Sequence, residues 1–223
     1  AQSRQHIMKK GCCRIAREGF PFIGLFLALT VAGYFLFWPA AVAFGALTLF
    51  SLNFFRDPER LPPEGEDLLV SPADGTVLKI EFQPGGRYLN EPHQKISIFM
   101  SALDVHVNRI PCHGTVERIH YHPGNFFVAS LDKASEKNER NSVVVRTPRG
   151  DAVAFVQIAG LVARRIVCYL KEGMTARRGE RYGMIRFGSR MELCFPPQWP
   201  VLVKAGQKVK AGTTPLVRMK QES

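Results

Sequence analysis

The sequence predicts a mainly β domain, a closed sandwich-barrel-like sheet with duplicated turn motifs, behind an N-terminal apolar helical hairpin. Three observations carry that reading. No charged side chain occurs from Phe20 to Phe55. From about residue 61 the chain becomes a series of short apolar runs punctuated by Gly and Pro. One turn-into-strand pattern then recurs along that remainder. The 223 residues suit one domain with an appendage, and they can bury a core without disulfide staples. At 46% hydrophobic and 22% charged, the chain is no disordered tail.

The N-terminal segment comes first. Residues 1–19 carry Arg4, Lys9, Lys10, Arg14 and Arg17 against Glu18 alone. The uncharged block that follows is interrupted at Trp38-Pro39. A spanning helix needs roughly 20 apolar residues. Pro39 lacks a backbone donor and disfavours helix for the residue before it. Two short apolar helices follow, about 22–37 and 40–54, bent at Pro39. Positive charge flanks both ends, with Arg56 and Arg60 on the far side. Such flanks face the cytoplasm, so the block reads as a hairpin returning to the cytoplasmic face of the inner membrane. The block is too long for a signal peptide. Residues 1–60 form one unit and 61–223 a second.

Leu61-Pro62-Pro63-Glu64-Gly65-Glu66 is a linker. After it, β-like runs are expected at 75–82, 95–100, 114–120, 142–146, 153–159, 163–170, 182–187, 191–195 and 215–219. Thr147-Pro148-Arg149-Gly150-Asp151 lies between two of them and predicts a hairpin over 142–159. The recurring pattern is P-x-x-G-T-V-x-[K/R]-I, found at Pro72–Ile80 and at Pro111–Ile119. Gly at that position permits a tight turn into a strand. A related turn runs Lys204-Ala205-Gly206-Gln207-Lys208-Val209-Lys210-Ala211-Gly212, of the kind found in lipoyl-type sandwich barrels.

The chain carries 30 Lys+Arg against 19 Asp+Glu, a net charge of +11. That charge favours nucleic acid, an anionic membrane or an acidic small substrate. No nucleic-acid module accompanies it, so nucleic acid is excluded as a partner. Eight basic residues between Arg164 and Arg190, against Glu172 and Glu180, suggest a patch facing an anionic leaflet. Five cysteines, with Cys12 and Cys13 adjacent, give neither a disulfide framework nor zinc spacing. No metal is expected.

Three segments hold residues suited to chemistry. Ser71-Pro72-Ala73-Asp74-Gly75 sets an Asp in a turn before a strand. Met100-Ser101-Ala102-Leu103-Asp104-Val105-His106-Val107-Asn108-Arg109-Ile110-Pro111 sets a His in an apolar, strand-like context. Asp104, two residues earlier, would share a face with His106 on a strand. Arg186-Phe187-Gly188-Ser189-Arg190 sets Gly-Ser between apolar runs. It is no nucleophile elbow, because Gly-x-Ser-x-Gly is absent.

Together with Phe54-Phe55-Arg56-Asp57-Pro58, Tyr121–Phe127 and Asn138–Asn141, these segments resemble the phosphatidylserine decarboxylase family in its short form. The resemblance covers nearly the whole chain. It implies self-cleavage between Gly188 and Ser189 into fragments 1–188 and 189–223, which remain together as a heterodimer. Homo-oligomers are left open. Ser189 becomes a covalent pyruvoyl cofactor, whose Schiff base with the substrate amine takes up electrons as CO2 leaves. The product is phosphatidylethanolamine. The resemblance assigns His106 as base, with Asp74 orienting its imidazole; Asp104, by its place on the strand, is a second candidate carboxylate. Arg109 stands where longer members carry a second His, and Arg190 where they carry Thr. Asn138 and Arg140 fall in a region that borders the family's active site. The competing readings are a non-catalytic, membrane-anchored β module that binds anionic lipid, and a tethered serine hydrolase.

Overall fold

A computed structural model describes residues 13–124, 138–160, 165–186 and 189–219. The chain divides into two compact units, Ala1–Arg60 and Leu61–Ser223.

In the first unit, helix α1 (Phe20–Leu36) and helix α2 (Trp38–Phe54) form an antiparallel pair. The break falls at Phe37, which is extended at φ −162 and ψ 95, one residue earlier than the bend expected at Pro39. Proline is tolerated in a first helical turn, whose N–H groups have no intrahelical partner. Pro39 therefore opens α2 rather than ending α1. The helices meet closely at Gly33, where an added Cβ would lie 2.8 Å from the Ala41 nitrogen. Strand β1 (Cys13–Ile15) pairs antiparallel with β2 (Arg56–Pro58), closing the hairpin at its base. Both ends of the hairpin thus emerge on one side. At the opposite tip, Tyr34, Phe35, Leu36, Phe37 and Trp38 are exposed. The stretch Arg17–Leu36 is long and apolar enough to cross a bilayer.

Among the described residues the second unit is built of strands and turns. Its strands are β3 (Leu68–Val70), β4 (Gly75–Gln83), β5 (His93–Met100), β6 (Val107–Arg109), β7 (Gly114–His122), β8 (Arg140–Arg146), β9 (Ala152–Ala159), β10 (Ile166–Cys168), β11 (Thr175–Ala176), β12 (Arg181–Ile185), β13 (Ser189–Phe195), β14 (Lys208–Val209) and β15 (Pro215–Arg218). An eight-stranded sheet runs β11-β7-β8-β9-β13-β5-β4-β14. It curls into a half-barrel, so the expected closure is partial, with β11 and β14 as its two edges. A three-stranded sheet, β10-β12-β6, and the pair β15-β3 complete the unit. The predicted hairpin is β8–β9, turned at Thr147–Asp151. Alternation sends Val143, Val145, Val153, Phe155, Met191 and Leu193 into one core, while Val144, Ala154, Val156 and Cys194 pack on the opposite face.

The sheet is internally duplicated about its central pair, β9 and β13. Gly75 and Gly114 each start a nine-residue strand. Each strand is irregular at the same place, after Val77 in β4 and after Val116 in β7. Gly206 donates to the Val77 carbonyl and Gly173 to that of Val116, both at 2.8 Å. Gly212 donates to Ser71 and Gly179 to Ile110, again both at 2.8 Å. The segment Lys171-Glu172-Gly173 to Gly179 is therefore a fourth turn element, the counterpart of Lys204–Gly212, that the sequence reading did not single out. All four of these turn glycines have positive φ.

The repeated Gly-Thr-Val is imposed by close packing. A Cβ on Gly75, at φ +152, would lie 2.0 Å from the Phe99 carbonyl oxygen, and one on Gly114 would lie 2.3 Å from that of Arg146. Gly75→Ala is expected to cost about 3 kcal/mol or more. In a chain of this size that lowers Tm by roughly 6–12 °C, which a thermal melt in detergent would read.

Candidate active site

Ser189 opens β13, the central strand, and is fully buried. It pairs with Met100 of β5 on one side and Ala159 of β9 on the other. Its side chain shares the inner face with Met191 and Leu193. The Oγ donates to the Met100 Sδ at 3.2 Å. A thioether is a weak acceptor, so the hydroxyl is enclosed without being tightly held.

A chain of buried amides extends from this point. Asn108 Nδ2 lies 3.8 Å from the same Met100 sulfur. Gln157 Nε2 donates to Asn108 Oδ1 at 2.9 Å, and Asn141 Nδ2 to Gln157 Oε1 at 3.1 Å. Asn138 Nδ2 donates to the Ala159 carbonyl at 2.6 Å, on the residue paired with Ser189. The sequence reading named Asn138 and missed Met100, Asn108, Gln157 and Asn141. The available signal was polar residues at inward positions of apolar strands, as in Val153, Phe155, Gln157.

His106 is fully buried and sits immediately before β6, at the end of a turn rather than on a strand. Its Nδ1 lies 2.9 Å from the Asp104 carbonyl oxygen. A carbonyl can only accept, so Nδ1 carries the proton and Nε2 is the basic nitrogen of the neutral ring. The Asp104 carboxylate instead accepts from the Ser101 N–H and hydroxyl, both at 2.8 Å. Its Oδ2 caps the turn, and it is the main-chain oxygen of Asp104 that meets the imidazole.

Strand β6 pairs with β12, whose last residue, Ile185, is followed by the segment leading to Ser189. His106 thus precedes a strand of the three-stranded sheet, and Ser189 opens a strand of the eight-stranded one. Gly188 and Phe187 lie outside the described residues, as do 125–137 and 161–164.

Asp74 is buried in the turn before β4, and its Oδ1 accepts the Ala211 N–H at 2.8 Å. The Arg109 N–H donates to the Pro72 carbonyl at 2.9 Å, bringing this turn alongside β6. In the duplicated half His113 occupies the equivalent place, its Nδ1 accepting from the Arg178 N–H at 3.4 Å. Arg109 is buried and donates from Nη1 to the Gly179 carbonyl at 2.8 Å, fastening a turn. Arg140 lies on the outer face of β8, away from Ser189, with Nη1 3.5 Å from the Asn138 carbonyl.

The run of basic residues from Arg164 to Arg190 does not form one exposed patch. Arg178 donates to the carbonyls of Gly65, Leu68 and Pro63, and Arg190 is fully buried. Thiols are poor nucleophiles here. Burial pushes Cys112 up to about 12 and raises Cys168 and Cys194 as well. Among the described residues, no group of His, Cys, Asp and Glu is arranged to hold a metal ion.

The model of the phosphatidylserine decarboxylase family matches residues 47–217. The chain is 52% identical to a phosphatidylserine decarboxylase proenzyme of Syntrophus aciditrophicus, over 91% of this chain and 96% of the relative. It is 48% identical to the proenzyme of Solidesulfovibrio magneticus, over 95% and 99%. It is 46% identical to that of Magnetococcus marinus, over 92% and 95%. A family model matched over most of the chain, with relatives about half identical over nearly all of it, on a fold that encloses a serine at the head of its central strand, places this chain in the phosphatidylserine decarboxylase family.

Proposed function

We infer that the chain converts phosphatidylserine to phosphatidylethanolamine and CO2, using a pyruvoyl group made from its own Ser189. The observation that carries this reading is the placing of Ser189. It is enclosed, it heads a central strand, and its hydroxyl rests on a weak thioether acceptor. Ser189 Oγ attacks the Gly188 carbonyl, and His106 Nε2 takes the hydroxyl proton. An ester replaces the amide. Removal of the Cα proton of residue 189 then expels the Gly188 carboxylate, and water converts the remaining enamine to the keto group with loss of ammonia.

The surroundings fit such a group. The side chains joined to Ser189 on the inner face are a thioether and amides, from Met100, Asn108, Gln157, Asn141 and Asn138. None carries an amine that would condense with a ketone. When present, the pyruvoyl carbonyl supplies a partner for the substrate amine and a sink for the electron pair left by CO2. His106 holds the proton that the product carbon receives. Asp74 borders β6 and is the carboxylate proposed to stabilise the charged imidazole, while the Asp104 carbonyl holds Nδ1–H.

The apolar hairpin is assigned to the inner membrane, with its base on the cytoplasmic face. Both ends leave on the same side, and both carry basic residues. Intact mass of the purified protein tests the reading. Two fragments, 1–188 and 189–223, are expected, the smaller lacking a free amino terminus. A single species of 25.0 kDa would refute it.

A further inference from the structure

We propose that Arg190 is a positioning residue that holds the new terminus in place once the chain is cut. This rests on the reading that the cut falls before Ser189. The cut turns the first residue of a central strand into a chain end, and chain ends fray unless tied down. Among the described residues the hydroxyl of Ser189 rests on a weak acceptor, and conversion to a ketone removes that donor. The next residue is held far more firmly.

The Arg190 side chain is fully buried on the outer face, opposite to Ser189. Its Nη2 donates to Ser97 Oγ at 2.8 Å and lies 3.0 Å from Glu192 Oε1. Glu192 is fully buried too, and the same oxygen faces Lys95 Nζ at 3.7 Å. Lys95 reaches Glu81 at 3.5 Å, and Glu81 reaches Lys79 at 2.9 Å. The network ties β13 to β5 and β4.

A buried ion pair adds little stability compared with apolar side chains of the same volume. It does specify register. A slip of one residue along β5 or β9 would turn Arg190 into the apolar core and residue 189 out of the site. Arg190 therefore keeps residue 189 facing inward when no covalent bond precedes it.

The test compares cut and uncut protein. Arg190→Met/Glu192→Met leaves no lone buried charge and keeps the volume. Hydrogen exchange is followed at the amides of 190–193, with those of Val143–Val145 as an internal control. In the cut double variant, exchange at 190–193 should rise about tenfold or more over the wild type while the control is unchanged. In the uncut Ser189→Ala background the same pair of changes should move exchange less than about threefold. The kcat of the cut variant should fall about tenfold with KM held, and Arg190→Lys should recover part of both effects.

Equal exchange and kcat in cut double variant and wild type would overturn the proposal. So would a uniform rise that includes Val143–Val145, which marks general destabilisation. A double variant that folds but never cuts would place the role of Arg190 before the cut and overturn it as well. An uncut wild type fails at the mass measurement instead, so the two readings fail separately.

Discussion

Ser189→Ala should give one unbroken chain of 25.0 kDa and no CO2 release. The substitution removes the only hydroxyl able to attack the Gly188 carbonyl from within residue 189, and with it the atom from which the cofactor is made. Decarboxylation should fall to the uncatalysed background. The fold should tolerate the change. Ser189 is fully buried, and its Oγ gives up a single bond to a sulfur at 3.2 Å. A bond of that kind contributes no more than about 1 kcal/mol. A melting curve near that of the wild type would assign the lost activity to chemistry. Decarboxylation surviving in the uncut variant would refute the cofactor assignment.

His106→Gln should slow self-cleavage by about 10²–10⁴-fold, the range expected for removing a positioned general base. Glutamine can still donate to the Asp104 carbonyl, as His106 Nδ1 does at 2.9 Å. It has no basic nitrogen to replace Nε2. A time course of newly synthesised chain on a gel reads the rate directly. Material that does become cut should also decarboxylate slowly, because Arg109 stands where a second His could have shared the work. Cleavage at the wild-type rate would remove His106 from the mechanism.

The sequence made the scaffold legible where physics is local. Gly75 and Gly114 marked real strand starts because a Cβ at either would lie 2.0–2.3 Å from a facing carbonyl oxygen. The apolar block resolved into two helices because Pro39 lacks an N–H. Reading was weaker wherever tertiary packing decides. Strands of two or three residues, such as β6, β11 and β14, carry no period of their own and exist through their partners. Arg178 and Arg190 looked like surface charge, since nothing local distinguishes a solvated guanidinium from one bonded to carbonyls or to a buried carboxylate. In the candidate site, Ser189 and His106 were singled out by motif. The amides Asn108, Gln157 and Asn141 were not, because they lie on three different strands and meet only when the sheets face each other. Asp104 was assigned by strand alternation, whereas the chain turns at Ser101–Asp104 and uses the carboxylate as a cap. The duplication also went half read. Asp74 and His113 occupy matching turns, so one half of the molecule holds an acid where the other holds an imidazole.

The two flanks of β13 have a consequence for the mature enzyme. The strand is bonded along its length to β5 and to β9, while β14 and β15, from the same fragment, are bonded to β4 and β3 at separate places. With the cut before Ser189, fragment 189–223 is woven through its partner at three points. It has no dissociation route short of dismantling the sheet. Maturation would then be irreversible in two senses: the peptide bond would be gone, and the two pieces could not be traded between molecules. On this reading each working enzyme would be the product of one parent chain, and a defective precursor would not dilute or poison an intact neighbour by exchanging its smaller half.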